Sequence, residues 1–175
     1  MRVVAGTARG RRLQAPAGSG VRPTSDRVRE AMFDVLTSLG AVEGASVADL
    51  FAGTGALGVE ALSRGAVSAL FVDEDGAALD AVKVNLVTTG LYARATVVQT
   101  DVLAWVGTGS PVDVAFVDPP YAFQDWPRLL EGLDAGLVVI ESDRGIDVGD
   151  TWKSLKVKRY GGTVVTMAES MRNPA

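Results

Sequence analysis

Asp49-Leu-Phe-Ala-Gly53-Thr-Gly55-Ala-Leu-Gly58 is the stretch that decides the fold. The apolar run over residues 47–51 predicts a strand, and the residues after the glycines predict a helix that continues to about Ser63. A glycine turn that joins a strand to a helix is typical of the first unit of a parallel α/β sheet. Glycine also lets the backbone pass close to a bound molecule. We therefore expect the sheet and a ligand site to be organised around this turn.

The same turn fits two kinds of ligand. It contains a literal Gly-x-Gly-x-x-Gly pattern, and Asp73 follows 20 residues after Gly53, which is the spacing of a dinucleotide site such as that for NAD. Such sites hold a pyrophosphate anion at the helix N-terminus, and Asp49 would repel it. A carboxylate at this position would instead attract a cation such as the ammonium of a methionine moiety. The turn therefore favours S-adenosyl-L-methionine over NAD, with an ordinary ligand-free glycine turn as a third possibility.

The predicted cofactor site extends beyond the turn. Asp73 is expected to accept hydrogen bonds from ribose hydroxyls with its two oxygens. Asp101 would lie near the adenine amino group, or would serve only as the N-cap of a helix. The residues assigned to cofactor binding are Asp49, Phe51, Gly53, Thr54, Gly55, Asp73, Glu74, Asp101 and Asp118.

Downstream of the turn, predicted strands alternate with predicted helices. The apolar patterns predict strands over 69–72, 96–99, 112–117 and 137–140, and helices over about 76–87 and 126–133. This alternation indicates an α/β fold with a mostly parallel sheet flanked by helices. The end of the chain differs, because 154–160 and 163–168 flank Gly161-Gly162, which is typical of an antiparallel hairpin.

The N-terminal segment is predicted to be an extension of this sheet. Arg2–Ala5 has the pattern of a short strand, and residues 11–14 would return as its hairpin partner. A helix is expected to start at Thr24 or Ser25 and to end at Gly40, with apolar residues at helical spacing between them.

The extension is basic although the chain is not. Seven arginines and two carboxylates occur in the first 30 residues, whereas the whole chain has a net charge of −4. This asymmetry indicates local contact with a polyanion such as nucleic acid, or else a solvated tail. Arg27 and Arg29 fall outside the apolar face of the predicted helix. We divide the chain into an arm with the first helix, residues 1–40, and an S-adenosylmethionine-binding catalytic domain, residues 41–175.

Composition narrows the possible chemistry. The chain has 175 residues, and neither Cys nor His occurs in it, which excludes disulfides, thiol nucleophiles, His bases and almost every zinc site. We expect no metal. No apolar run approaches the roughly 20 residues that cross a bilayer, and the N-terminus has no signal-peptide pattern. We therefore expect a cytoplasmic protein without a membrane partner.

Asp118-Pro119-Pro120-Tyr121 is the predicted reaction site, since it follows the strand over 112–117 directly. In an open parallel sheet this strand end lies beside the end of the first strand, in the ligand crevice. An exocyclic base amine is a poor nucleophile, and two acceptors can hold its N–H groups and turn its lone pair toward a methyl group. Asp118 and the Pro119 carbonyl supply two acceptors, the prolines keep them rigid, and Tyr121 offers a face for an extruded base. A proline-rich turn without a reaction is the alternative.

These residues resemble the class I methyltransferases that modify amino groups, a fold with a Rossmann-like sheet. The N-terminal segment is similar to that of the bacterial 16S rRNA guanine-N2 methyltransferase family called RsmD. The stretches that carry this resemblance are Arg2-Val-Val-Ala-Gly6, Gly10-Arg11-Arg12-Leu13, Arg22-Pro-Thr-Ser-Asp-Arg-Val-Arg-Glu-Ala-Met-Phe33, residues 49–64 and the tetrapeptide.

The resemblance implies transfer of a methyl group to N2 of one guanine (966-type) in 16S rRNA of an assembled or partly assembled small ribosomal subunit, by a protein expected to be a monomer. It also implies that the arm helps to bind RNA. Residues 22–24 are candidates either for RNA contact or for closing over the cofactor or target base. The candidate RNA-binding residues are Arg9, Arg11, Arg12, Arg22, Thr24, Arg27 and Arg29.

Three alternatives remain open at the level of the sequence. The tetrapeptide also fits an adenine-N6 methyltransferase that acts on DNA or RNA. The literal glycine pattern fits a nicotinamide-dependent oxidoreductase. A non-catalytic RNA-binding module is the third. Glu141 and Tyr160 are expected either to border the active site or to be structural.

Overall fold

The computed structural model describes residues 1–18 and 24–172 as a seven-stranded sheet with helices on both faces. The helices are α1 (Asp26–Ser38), α2 (Ala56–Ser63), α3 (Gly76–Thr89), α4 (Val102–Val106) and α5 (Trp126–Gly132), with a 3-10 turn at Tyr92–Arg94. The strands are β1 (Ser46–Leu50), β2 (Ser68–Asp73), β3 (Ala95–Gln99), β4 (Val112–Val117), β5 (Ala135–Ser142), β6 (Trp152–Tyr160) and β7 (Thr163–Ser170).

The strand order is β3-β2-β1-β4-β5-β7-β6. Strands β1 to β5 are parallel, whereas β7 is antiparallel to both β5 and β6. The α/β fold with an antiparallel C-terminal hairpin is therefore confirmed. The order reverses between β1 and β4, so the carboxyl ends of these two strands form the crevice in which ligands bind in such sheets.

Two hydrophobic clusters cover the two faces of the sheet. One contains the buried faces of α1, α2 and α3, and the other contains those of α4 and α5. No range was predicted for helix α4, although Asp101 was considered as a helix N-cap, because five residues are too few to show a helical period. None of the helices in the described part of the chain is long and apolar enough to cross a membrane.

The N-terminal arm packs into the first of these clusters. Val3, Ala8 and Leu13 are buried together with Phe33 of α1 and with apolar residues of the sheet. The first 40 residues thus share a hydrophobic core with the rest of the chain, and their separate role remains a prediction.

The predicted strand over Arg2–Ala5 is wrong in its extent. A single antiparallel bridge joins Arg2 to Arg12. The Val3 amide still donates to the Arg11 carbonyl at 2.9 Å. The amides of Val4 and Ala5 turn away from the hairpin, because they donate to the two carboxylate oxygens of Glu60 at 2.8 and 3.0 Å. A buried carboxylate in α2 therefore replaces the strand partner that the sequence pattern suggested.

Side chains of α2 and α3 fix the rest of the arm. The hydroxyl of Ser63 accepts from the Ala8 amide at 2.9 Å and donates to the Ala5 carbonyl at 2.6 Å. Asn85 in α3 pairs with both backbone groups of Gln14, at 2.7 and 2.9 Å. These bonds hold the inner side of the arm against α2 and α3, since buried polar groups require partners.

Arg29 corrects the prediction for α1. Its side chain was expected outside the buried face, but it is fully buried. Its guanidinium lies 3.5 Å from Glu60 and 3.0 Å from Asp26, and it donates to the Arg2 carbonyl. A count of apolar positions missed this residue because a buried ion pair replaces hydrophobic contact at its position.

We expect Glu60→Gln to lower the free energy of unfolding by about 3–5 kcal/mol, because it removes the buried anionic partner of Arg29 and leaves the half-exposed Asp26 to compensate the charge. Urea unfolding followed by circular dichroism measures this change. Asp34→Asn is the matched control: Asp34 is an exposed partner of Arg64 at 3.8 Å, and its loss should cost less than about 1 kcal/mol. Equal midpoints for the two variants would contradict the central role of Glu60.

Candidate functional site

Three carboxylates meet at the carboxyl edge of the sheet. Asp49 lies near the end of β1, Asp118 follows β4, and Glu141 lies near the end of β5. These strands are direct neighbours in the order β1-β4-β5. The Asp118 amide donates to the Leu50 carbonyl at 3.4 Å, which extends the pairing of β1 and β4 into the site. The predicted proximity of the glycine turn and the Asp-Pro-Pro-Tyr motif is therefore confirmed.

The glycine turn has the conformation that its sequence requires. Phe51, Gly53 and Gly55 all have positive φ angles, of 58°, 55° and 75°. At Gly53 the space that a side chain would occupy is open, with only a Phe51 oxygen 4.0 Å away. Phe51 is the exception, since a non-glycine residue rarely adopts a positive φ. The turn thus presents bare backbone to the crevice.

The side chains of two aspartates and one asparagine form hydrogen bonds with the backbone of the turn and of the helix that follows it. Asp73 accepts from the Gly53 amide at 3.0 Å, and Asp49 accepts from the Gly58 amide at 2.9 Å. Asn85 donates to the Thr54 carbonyl at 2.8 Å. Because Asn85 also pairs with the arm, the turn and the arm are fixed by one side chain.

Burial sets the charge state of Asp49. Asp49 is 2% exposed, and burial raises its pKa to about 8 although the hydrogen bond from the Gly58 amide lowers it. The negative charges of Asp73 and Glu141 raise it further. None of the Lys and Arg side chains in the described residues forms an ion pair with it. Asp49 is therefore buried without a cationic partner among the described residues.

Asp118 and Glu141 share this environment. Burial raises the pKa of Asp118 well above its usual range, and the charges of Glu141 and Asp49 add to the rise. Burial also raises the pKa of Glu141, whereas the hydroxyl of Thr24 and the charge of Arg29 lower it. Thr24 Oγ1 donates to Glu141 Oε2 at 2.6 Å.

The sequence leaves Glu141 either at the border of the active site or in a structural role, because the predicted strand ends one residue before it, at residue 140. The strand extends to Ser142, and this extension carries the carboxylate into the crevice. A single acidic residue at the end of an apolar run was the only available signal.

The loop after β4 presents an aromatic side chain to solvent. Pro119 is buried, whereas Tyr121 is 52% exposed. Phe123 packs edge-on between Phe51 and Trp126, with ring centroids 5.3 and 5.1 Å apart. The loop is thereby fixed to the glycine turn, while Tyr121 is left open for contact with a ligand.

The remaining predicted site residues divide into several groups. Asp101 is the N-cap of α4 and accepts from the Ala104 amide at 3.0 Å, which leaves its proposed adenine contact as a prediction. Glu74 is exposed, and its carbonyl accepts from Gln99 at 3.1 Å. Tyr160 packs at the margin of the first cluster with Lys158 5.1 Å from its ring centroid.

The predicted RNA-binding residues also separate. Those with exposed side chains are Arg9, Arg11, Arg12 and Arg27. Thr24 is half-buried and bonded to Glu141. Arg29 is wrong as an RNA contact, because it is buried and held by Glu60. Arg22 lies outside the described residues.

We expect the stability of the ligand-free protein to fall as the pH rises from about 4 to about 8. Within this window the folded protein keeps a proton on Asp49 that the unfolded chain has already released, so each pH unit costs up to about 1.4 kcal/mol. Asp49→Asn removes this contribution and should flatten the profile, measured as urea midpoints against pH. Asp80→Asn, on the exposed face of α3, is the control and should follow the wild type. Identical slopes for wild type and Asp49→Asn would mean that burial does not protonate Asp49.

Comparison with known proteins supplies a family. The family model described as "Conserved hypothetical protein 95" matches residues 1–169. The chain is 37% identical over 181 residues to the putative rRNA methyltransferase YlbH of Bacillus subtilis. The matched stretch covers 95% of this chain and 97% of that protein. It is also 37% identical over 151 residues to ribosomal RNA small subunit methyltransferase D of Escherichia coli, with 82% and 75% covered.

Solved structures give the same result. The putative methyltransferase yhhF from Escherichia coli has a TM-score of 0.84 at 32% identity, with 97% of both chains covered. The putative methyltransferase SMU.776, complexed with SAH, has a TM-score of 0.62 at 17% identity over 81% of this chain and 48% of that one, and shares the fold. The extent of the family match and the identity to ribosomal RNA small subunit methyltransferase D lead to one assignment: the chain belongs to the RsmD family of class I S-adenosylmethionine-dependent methyltransferases.

Proposed function

We propose that the protein transfers a methyl group from S-adenosylmethionine to the exocyclic N2 of a guanine in 16S rRNA of the small ribosomal subunit. The observation that carries this proposal is the juxtaposition of Asp118 and the Pro119 backbone with the buried, cation-free Asp49 at the switch point of the sheet. The names of the similar proteins support rRNA as the substrate. Family membership removes the nicotinamide-dependent alternative.

The acidic crevice and the open backbone of the glycine turn suit S-adenosylmethionine. Its ammonium would be the cationic partner that Asp49 lacks among the described residues. The open backbone at Gly53 leaves room for the cofactor to approach closely. Asp73 uses one oxygen for Gly53 and the other for the Asp75 amide, and each oxygen keeps a further lone pair for a ribose hydroxyl. When bound, the cofactor supplies an electrophilic methyl group on a sulfonium.

The chain's own contribution is to hold the base amine. The Asp118 carboxylate and the Pro119 carbonyl would accept the two N–H groups, which directs the lone pair toward the methyl group. The prolines fix the backbone, so this geometry needs little reorganisation. Tyr121 would stack on the base, a contact worth about 1–3 kcal/mol.

The proposal is tested by incubating the protein with labelled S-adenosylmethionine and small subunits from cells that lack it. The label should appear as N2-methylguanosine by mass spectrometry of the nucleosides. Recovery of N6-methyladenosine would instead support the adenine alternative and overturn the proposal.

Asp118→Ala should lower the rate of transfer by about 100-fold or more, because it removes an acceptor that orients the amine. The affinity for S-adenosylhomocysteine, measured by calorimetry, should change little. Asp125→Ala is the control, since Asp125 precedes α5 with no side-chain capping bond. Near-normal turnover of Asp118→Ala would refute its role.

Replacing Arg11 and Arg12 together with Gln should weaken RNA binding and reduce the slope of log affinity against log salt by about 0.7 for each lost phosphate contact. Both side chains are exposed. Lys83→Gln with Arg128→Gln removes the same charge from exposed sites on α3 and α5. If both pairs reduced the slope equally, net charge rather than the arm would explain the binding.

A further inference from the structure

One carboxylate oxygen of Glu141 has no hydrogen-bond partner among the described residues. The residue is 6% exposed, and Thr24 Oγ1 donates to its Oε2 at 2.6 Å. No side-chain or backbone donor of residues 1–18 and 24–172 forms a hydrogen bond with its Oε1. Oε1 is not among the fully buried side-chain atoms that lack a partner, so this oxygen keeps contact with the solvent of the crevice. A donor group of a ligand could therefore replace water at this oxygen.

The sheet places this oxygen beside the proposed amine site. Val117 in β4 pairs with Ile140 in β5, so Asp118 and Glu141 are the next residues on two adjacent strands. Adjacent strands lie roughly 4.8 Å apart. The charge of Glu141 raises the pKa of Asp118, which is consistent with two carboxylates at close range. A ligand at this edge would meet two neighbouring acceptors.

Guanine carries two neighbouring donors that match this pair. Its N1–H and its N2 amine lie side by side on the Watson–Crick edge. Adenine has its amine beside N1, which is an acceptor and would face a carboxylate with its lone pair. Enzymes that act on an extruded base recognise it through this edge.

We propose that Glu141 is a specificity residue that accepts the N1–H of the target guanine through Oε1 while Asp118 holds the N2 amine. This inference rests on the proposed function. It adds the reason why the same Asp-Pro-Pro-Tyr motif would act on guanine and not on adenine.

The partners of Glu141 suit this role. The ionised carboxylate is the stronger acceptor for an N–H, and burial alone would favour the protonated form. The Thr24 hydroxyl and the nearby Arg29 charge both favour ionisation. Thr24 also occupies Oε2 of Glu141, which leaves Oε1 to accept from the base.

The experiment compares two target bases in the same RNA. Small subunits are reconstituted with RNA that carries guanine or 2-aminopurine at the position that the wild type methylates. The two bases share the N2 amine, but 2-aminopurine has an acceptor at N1. The rate of methyl transfer to each RNA gives a guanine preference for each variant.

Glu141→Gln should lower the guanine preference by about 10- to 100-fold relative to wild type, because its amide can donate to N1 of 2-aminopurine. Affinity for S-adenosylhomocysteine should stay within about twofold. Glu131→Gln, the same change on the exposed side of α5, should keep the wild-type preference. The loss of O6 in 2-aminopurine affects all variants alike and cancels in the comparison.

The outcomes separate this inference from the proposed function. If the wild type methylated adenine, both would fail. If it methylated guanine N2 and Glu141→Gln lowered both rates equally, only the role of Glu141 would be overturned, since a structural defect does not distinguish the bases. Should Glu141→Gln not fold, Thr24→Val removes the hydroxyl from Oε2. It is expected to reduce the preference by about threefold or more, and an unchanged preference would overturn the proposal.

Discussion

The ion pair between Arg29 and Glu60 is the interaction on which the arrangement of this protein depends. Glu60 lies in α2, the helix that starts at the glycine turn, and its carboxylate accepts both amides of the arm at Val4 and Ala5. Arg29 brings α1 to the same point. Two charges of opposite sign, buried with several hydrogen bonds, have few alternative arrangements. The pair therefore sets how the arm and α1 lie on the sheet, and through α1 it sets the position of Thr24 above the crevice.

The crevice itself is electrostatically unbalanced. Asp49, Asp118 and Glu141 are concentrated at one edge of the sheet, and burial raises the pKa of each. This cluster of three carboxylates lowers the stability of the free protein, and a ligand that brings a positive charge and N–H donors reduces this penalty. S-adenosylmethionine would supply the positive charge, and the guanine edge proposed above would supply the donors. The instability of the free site and its selectivity for ligands thus have the same physical origin.

The sequence alone was sufficient to predict the sheet and to place two of these carboxylates, Asp49 and Asp118, in the site. The glycine turn and the proline motif have local signatures, and the parallel topology brings the ends of β1 and β4 together. Glu141 and Arg29 could not be found in this way. Each is a charged residue in an element identified by its apolar residues, and each is buried only because a partner distant in sequence compensates it. The strand expected at Arg2–Ala5 failed for the same reason, since Glu60 competes for its amides.

These long-range partners change how the basic arm should be viewed. Its inner side is held by Glu60, Ser63 and Asn85, while Arg9, Arg11 and Arg12 remain on its outer side. A flexible tail could also bind RNA, but it would lose conformational entropy on binding, which lowers its affinity. A docked arm has already lost that entropy during folding. Contact of the outer arginines with phosphates would therefore orient the RNA relative to a fixed crevice, which is what a reaction on one base amine requires.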